Sequence, residues 1–318
     1  MRIEVSKIPD SSWDERLLGS KTGTIYQSTA QYEYQKINSN MKHEFLKFLD
    51  FSGKVCAQVM LSITQRKGRI GKLSQIPFIQ NNFYRWSYGP VIFDELKSDE
   101  IINDFQKYLI SKKFKVNGIF HPLTKFNKKI ILKQFHLKEW STFLIDLSQD
   151  HNTLWENMNK SSARKNINRS KKKEITVKEC KYENLGDYYK LVKNVSDKSN
   201  SDLKFEYVET TWTTLKKLGY TVFIAYQHEI PISGLGISFF NSYLNEWGVG
   251  RSILDYDEKL YSQDLLKWEI ICWGKKNNFS YFDLTGANPT PDNDKEIGIL
   301  QYKKKWGGKQ IPLFILEM

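Results

Sequence analysis

The stretch GANPTPDNDKEIGILQYKKKWGG, residues 286–308, sets Lys303, Lys304 and Lys305 between the aromatics Tyr302 and Trp306, after a loop rich in proline and acid. A lysine withdrawn from water beside a reacting carbonyl stabilises developing negative charge. A basic helix end closed by Gly307 is the plainer reading, and both stand at this point. On a helix Lys303 shares a face with Ile299 and Trp306, while Lys304 and Lys305 point to water and add to a positive field. Just upstream, SYFDLTGANP sets Asp283 at a strand end before a glycine-containing turn.

A second concentration of chemistry is KSSARKNINRSKKKEITVK, residues 160–178, where Glu174 is the single acid among Lys160, Arg164, Lys165, Arg169, Lys171, Lys172, Lys173 and Lys178. A helix here lines up Lys165, Arg169, Lys172 and Lys173 on one face and Ala163, Ile167 and Ser170 on a narrow opposite face. Like charges this dense repel one another and stabilise nothing locally, so a contact surface for phosphates is favoured over a merely solvated helix. A third stretch, FYRWSYGPVIFDE (83–95), brings aromatics to a Gly-Pro turn around Tyr88 and Gly89. It walls a substrate cleft or packs an edge strand.

The elements that must position these residues fall into two similar series. GKVCAQVMLSITQRKGRIGKLSQIPFI (53–79) alternates at period two through Val55, Ala57, Val59, Leu61 and Ile63, with Lys67-Gly68 as the hairpin turn. Before it GTIYQSTAQYEYQKI (23–37) reads as a short segment entering a helix, with Ser28 or Thr29 as the candidate cap, and an amphipathic helix over 98–115 follows, with Ser98 as its cap. Strands VNGIFHP and STFLIDL close the series. From about Asp150 the order begins again: helices over the basic stretch, ENLGDYYKLVKNVSDKS and EYVETTWTTLKKLG, then paired strands in 220–240, a further strand YLNEWGVGRS, one helix over 255–278, and two last strands. The 255–278 helix is apolar around most of its circumference and reads as deeply buried. Two mixed α/β domains follow, 1–147 and 148–318, with the last strand, 309–318, able to pack onto the first.

Composition narrows the function. The chain has 318 residues, 48 Lys+Arg against 36 Asp+Glu and a formal net charge of +12, a surplus that favours polyanionic partners such as RNA, anionic lipid or phosphorylated substrates. No apolar run reaches the roughly 18 residues of a membrane span, and the N-terminus lacks the apolar core of a signal peptide, so a cytoplasmic location is expected, with peripheral contact at the inner membrane surface compatible with the charge. Three scattered cysteines and five scattered histidines form neither a disulfide framework nor a metal-ligand spacing. GxSxG, HExxH, Walker and Rossmann fingerprints are absent.

The order of the motifs resembles the FemABX family of peptidoglycan aminoacyltransferases. YQSTAQYEYQK is similar to its N-terminal Gln-Ser segment, WSYGPVIFDE to its aromatic-x-x-Gly-Pro-Val turn, and SSARKNINRSKKKEITVK to the basic helix that opens its second domain. YFDLTGAN…GILQYKKKWGG resembles its closing signature, with Tyr302, Lys303 and Trp306 on the aromatic, lysine and aromatic positions. The resemblance implies a mixed α+β fold of two tandem acyl-CoA N-acyltransferase-like (GNAT-like) domains, each a largely antiparallel sheet flanked by helices. It implies transfer of an amino acid from aminoacyl-tRNA to the stem-peptide amine of a peptidoglycan precursor, a nucleotide- or lipid-linked muramyl pentapeptide, without a cofactor. The precursor cleft is expected mostly in the first domain. Lys303 would be catalytic, Lys36, Tyr88, Gly89, Asp283, Tyr302 and Trp306 would bind substrate, and Arg164, Lys165, Arg169, Lys172 and Lys173 would touch tRNA or phosphate. The helical arm of some members has no room here. The alternatives are an acyl-CoA-dependent N-acyltransferase on a sugar or polysaccharide precursor and a non-enzymatic RNA- or membrane-surface-binding module. CoA users carry a glycine-rich turn whose backbone N–H groups hold pyrophosphate ahead of the central helix, and ILDYDEKLYSQDLLKW has no glycine there.

Overall fold

The computed structural model describes residues 1–39, 41–65, 82–198 and 202–318. The expected hairpin turn at Lys67-Gly68 lies outside the described residues. The fold is mixed α/β, as expected, and the chain divides into two compact units, Met1–Ser141 with Pro312–Met318, and Thr142–Ile311. The change of unit falls inside a strand, and the junction read from sequence after residue 147 lies just past that strand's end.

In the N-terminal unit, β1 (Arg2–Ser6), β2 (Lys42–Leu49), β3 (Val55–Gln65) and β4 (Asn82–Trp86) are joined in antiparallel ladders, and a short β5 (Val91–Ile92) pairs with β3. β6 (Lys115–Ile119) runs parallel to β4, and Ile315–Glu317 adds an antiparallel strand on its other side. The alternation in β3 suggests one wet face, yet Cys56, Gln58, Met60 and Ser62 are buried as well as Ala57, Val59 and Leu61. The second face is covered by α1 (Trp13–Leu18), whose Trp13 carbonyl accepts from Gln58 Nε2 at 2.9 Å. α2 (Thr29–Ser39) begins after Ser28, whose hydroxyl accepts from Gln31 N. α3 (Ser98–Lys112) buries Ile101, Ile102, Phe105 and Leu109. Ser98 does not cap it: its hydroxyl bonds back to Glu95 O, and Asp94 caps the 3₁₀ turn that leads in.

In the C-terminal unit the end of β7 (His136–Asp146) lies beside β12 (Tyr281–Ala287), followed by β11 (Tyr243–Arg251), β10 (Ile230–Phe240), β9 (Tyr220–Gln227) and β8 (Thr176–Glu179). The β8 to β11 ladders are antiparallel, and β11 with β12 is parallel. α4 (His151–Asn157), a π-helical turn (Lys160–Arg164) and α5 (Lys165–Lys172) precede β8. α6 (Leu185–Asp197) and α7 (Phe205–Gly219) follow it. Gly234 and Gly250 face each other across β10 and β11, and α6 sits so close that a Cβ on either would come within 2.8 Å of Tyr188 or Leu191. The single helix expected over 255–278 is two: α8 (Ile253–Asp257) and α9 (Ser262–Lys276). Lys259 and Tyr261 have positive φ and break it. The Asp255 carboxylate then accepts from the Ser262 N–H at 3.0 Å, restarting the helix. α9 is buried as expected, through Leu265, Leu266, Trp268, Ile270 and Ile271, but it also carries Asp264 and Lys267 inward. α10 (Asp294–Lys304) and β13 (Lys309–Glu317) complete the chain. Among the described residues no helix is long and apolar enough to cross a membrane.

Candidate active site

The β11–β12 ladder is short. It pairs Tyr243 with Tyr281, Leu244 with Phe282 and Asn245 with Asp283, and the two strands continue beyond it, β11 with Glu246 and β12 with Thr285 and Gly286. Asp283 marks the last pair. It is fully buried, and its carboxylate accepts from the Thr142 hydroxyl, from Tyr243 OH at 2.9 Å, from Asn245 Nδ2 at 3.4 Å and from the Thr285 N–H at 2.7 Å. Every one of these contacts is internal, so Asp283 shapes the turn into Thr285, which holds φ +60°.

α10 supplies the facing side. Asn293 caps it by accepting from Glu296 N, acids occupy its first turn and lysines its last, which suits the helix dipole. Lys303 Nζ reaches back to β12, donating to Gly286 O at 2.7 Å and lying 3.4 Å from Thr285 Oγ1. Burial pushes its pKa down, with Glu246 and Asp283 opposing and Lys267 reinforcing. Trp306 is buried, but Ile299, expected on the same face, is exposed. Lys304 is exposed as expected; Lys305 is not. It turns inward to Asp264 at 2.5 Å, and Asp264 also accepts from Asn166 Nδ2 at 2.7 Å. Lys267 pairs with Glu246. The two ammonium groups lie over the same rings, Lys267 at 5.0 and 5.5 Å and Lys305 at 4.3 and 5.3 Å from the Tyr302 and Trp306 centroids. Both rings are thereby held by two ammonium groups, and the backbone that carries Lys303 with them. Burial raises the Tyr302 hydroxyl well above its ordinary pKa, so it remains a neutral donor. Gly307, at φ +75°, turns the chain after the helix, and its Cα approaches the Asn157 carbonyl too closely for a Cβ.

The basic stretch forms the wall of a cleft of about 850 Å³. Lys160, Arg164, Lys165, Arg169 and Lys172 line it with Trp155, Asn159, Ser161 and Asn168, and no carboxylate is among them. Ala163, Ile167 and Ser170 are buried on the opposite side, which is the face division expected from sequence. Lys173 departs from the set: its ammonium donates to Glu258 O at 2.5 Å. Arg169 sits over the Tyr261 ring and donates to its hydroxyl at 3.3 Å. A second cleft, of about 560 Å³, is lined by residues that include Ser162, Gln301, Tyr302, Lys304 and Lys305. Asn159 borders both clefts. Its side chain caps the π-helical turn through the Ser161 and Ser162 N–H groups, and its own N–H donates to Lys305 O at 2.9 Å.

In the N-terminal unit, Tyr88 and Gly89 form one tight turn. Gln27 Nε2 donates to Ser87 O at 2.9 Å and Trp86 Nε1 to Gly89 O at 2.9 Å, while Gln27 Oε1 accepts from Met60 N at 2.8 Å. A Cβ at Gly89 would lie 2.9 Å from the Gln27 carboxamide. Tyr88 is buried between the Tyr26 and His121 rings. Lys36 is exposed on α2, 5.7 Å from the Tyr32 ring centroid. Sequence reasoning misses Gln27, Asn159, Lys267 and Glu246. Lys267 has a signal: a lone lysine in a helix read as buried needs a partner. Among the described residues no group of three or more His, Cys, Asp or Glu side chains could hold a metal ion.

No protein-family model and no curated protein matches the chain. Solved structures do. FemX superposes with a TM-score of 0.71 at 13% identity, covering 98% of this chain and 96% of its own. The C-terminal domain of a putative lysylphosphatidylglycerol synthetase from Agrobacterium fabrum gives 0.56 at 12% identity, covering 96% and 90%. A tandem GNAT protein from the clavulanic acid biosynthesis pathway gives 0.50 at 10% identity, covering 99% and 98%. The fold is therefore that of tandem GNAT-like proteins. Within that class it is similar to FemX over nearly its whole length, in agreement with the motif resemblance.

Proposed function

We propose that the protein is an acyltransferase, and specifically an aminoacyltransferase that moves an amino acid from aminoacyl-tRNA to the stem-peptide amine of a peptidoglycan precursor. The observation that carries the reading is Lys303, held at the end of the short β11–β12 ladder with two of its three ammonium donors directed at Gly286 O and Thr285 Oγ1, in the same unit as a basic cleft that reaches α10 through Asn159. The similarity to FemX supports it, as does that to a synthetase whose named product is an aminoacylated lipid. The amine nitrogen attacks the ester carbonyl, the bond to the ribose oxygen breaks, and the amine proton ends on that oxygen. The enzyme's part is to position both substrates and stabilise the oxyanion, so no cofactor is needed. Arg164, Lys165, Arg169 and Lys172 would hold tRNA phosphates, and the N-terminal unit would hold the precursor.

The acyl-CoA alternative meets a physical obstacle. Where a CoA user offers free N–H groups ahead of the central helix, this chain has Asp255 already accepting from Ser262 N and Asp264 in the first turn of α9. Those carboxylates are themselves paired, Asp255 with Arg251 and Asp264 with Lys305, so the obstacle is that the Ser262 N–H is already taken and closed to a pyrophosphate oxygen. Incubation with charged tRNAs and muramyl-pentapeptide precursors should add the mass of one amino acid to the precursor. Transfer from acyl-CoA but from no aminoacyl-tRNA would replace this reading with the alternative. A steep salt dependence of RNA binding with no transfer at all would leave a binding module.

A further inference from the structure

One concentration of positive charge has no part in the proposed transfer. Between residues 105 and 140 the chain holds nine lysines, no arginine and one acid, Glu139. Outside this segment and the 160–178 stretch, acids outnumber Lys and Arg, so the net charge of +12 is gathered in two places. The whole segment lies in the N-terminal unit. Its centre, KFNKKIILK (125–133), is clamped onto α3. Asn127 N donates to Asp99 Oδ1 at 2.8 Å, Leu132 N to Gln106 Oε1 at 2.8 Å, and Gln106 Nε2 to Ile130 O at 3.2 Å. Asn127 Oδ1 accepts from Lys129 N and starts a 3₁₀ turn. Phe126, Ile130, Ile131 and Leu132 pack against the core of the unit. With its apolar side fixed, the segment turns Lys125, Lys128, Lys129 and Lys133 to solvent. Lys128 meets Glu139 at 3.0 Å in an exposed pair, and among the described residues Lys125, Lys129 and Lys133 have no carboxylate partner. Like charges held this close repel and gain the fold nothing locally.

We propose that this face of the N-terminal unit docks on an anionic lipid bilayer. Such a surface presents a smeared negative potential, which point charges on long stems match without directional bonding. RNA calls for more: arginine forks for its phosphates and exposed rings on which its bases stack. The basic cleft of the other unit does carry Arg164 and Arg169. The lysine face has neither device. It lacks arginine, Phe126 packs on Phe120 and Phe314, Phe135 is buried, and the Trp140 ring lies under Lys138 at 4.9 Å. Ile130, Ile131 and Leu132 stay half exposed between Lys129 and Lys133, which adds an apolar contact at the headgroup level. Docking of this kind is independent of which donor the protein uses.

The test is co-sedimentation of the full chain with vesicles of phosphatidylcholine alone, and of phosphatidylcholine and phosphatidylglycerol in equal parts. The chain should sediment with the anionic vesicles and not with the neutral ones. It should be released at about 1 M salt, where the screening length is roughly 3 Å. Lys125→Gln with Lys129→Gln and Lys133→Gln should weaken the partition about a hundredfold, at about fivefold for each lysine. The melting temperature should hold, because all three are exposed. Arginine at the same three positions should bind as the parent does. No binding to anionic vesicles, equal binding to both kinds, or binding that the triple Gln variant keeps overturns the proposal. So does a greater loss from Lys165→Glu with Arg169→Glu. A loss of RNA affinity in the triple Gln variant as large as its loss for vesicles would make this an RNA surface instead. Transfer between soluble substrates should be unchanged in that variant, so docking and transfer fail separately.

Discussion

Replacing Lys303 with methionine isolates one charge. An ammonium has three N–H donors. Two are directed at Gly286 O, 2.7 Å away, and Thr285 Oγ1, 3.4 Å away, so one is left for a developing oxyanion. Loss of a single preorganised oxyanion donor costs about 10²–10³ in kcat. Lys303→Met should therefore slow single-turnover transfer by that factor and leave KM within about threefold, because the contact forms only in the transition state. The pH dependence supplies a second readout. Burial places the folded pKa of Lys303 below its ordinary 10.5, so between those two values the unfolded chain holds a proton the folded chain has lost. Stability thus rises with pH across that window, and the rise should vanish in Lys303→Met melts. Activity runs the other way: it needs the ammonium and should fall as pH climbs through the lowered pKa, a fall absent in Lys303→Arg, whose guanidinium stays charged. A Lys303→Met enzyme that keeps kcat within about threefold, or loses only KM, would refute the assignment.

The buried pair behind the site should behave as a unit. Lys267→Met alone strands the Glu246 charge and should cost about 3–5 kcal/mol in urea melts, and Lys267→Met with Glu246→Leu should recover most of it. In the basic cleft, Lys165→Glu with Arg169→Glu should weaken RNA binding across sequences. The slope of log K against log salt should flatten by about one for each phosphate no longer neutralised, measured by filter binding from low to moderate salt.

The parts of the fold legible in the sequence are those set by local periodicity. Of the stripe Ile101, Ile102, Phe105, Leu109 and Ile110, all but the half-buried Ile110 are buried as their spacing requires, and so is the Ala163, Ile167 and Ser170 face. Period two in β3 is equally clear, but periodicity says nothing about what covers the second face, and α1 covers it. The break between α8 and α9 is hidden because Tyr256-Asp257-Glu258-Lys259 contains neither glycine nor proline to mark it. What breaks it is a distant gain, the Asp255 carboxylate capping Ser262 across the turn. The Asp283 cluster shows the same limit. Its strand-end position can be read, but not its partners Thr142, Tyr243 and Asn245, which come from separate strands.

The three lysines at the end of α10 make the limit sharpest. Lys303, Lys304 and Lys305 are chemically identical neighbours, and helical geometry alone separates only the one that shares a face with Trp306. Their fates are decided by what the rest of the unit places opposite each: a strand carbonyl for Lys303, solvent for Lys304 and a buried carboxylate for Lys305. Burial pushes the pKa of Lys303 and Lys305 down alike, but Asp264 hydrogen-bonds Lys305 and offsets that loss, whereas Glu246 is already committed to Lys267. Of the two inward lysines, Lys303 alone lacks a carboxylate of its own. A buried cation without a dedicated anion is costly to keep, and a transient negative charge is what would match it.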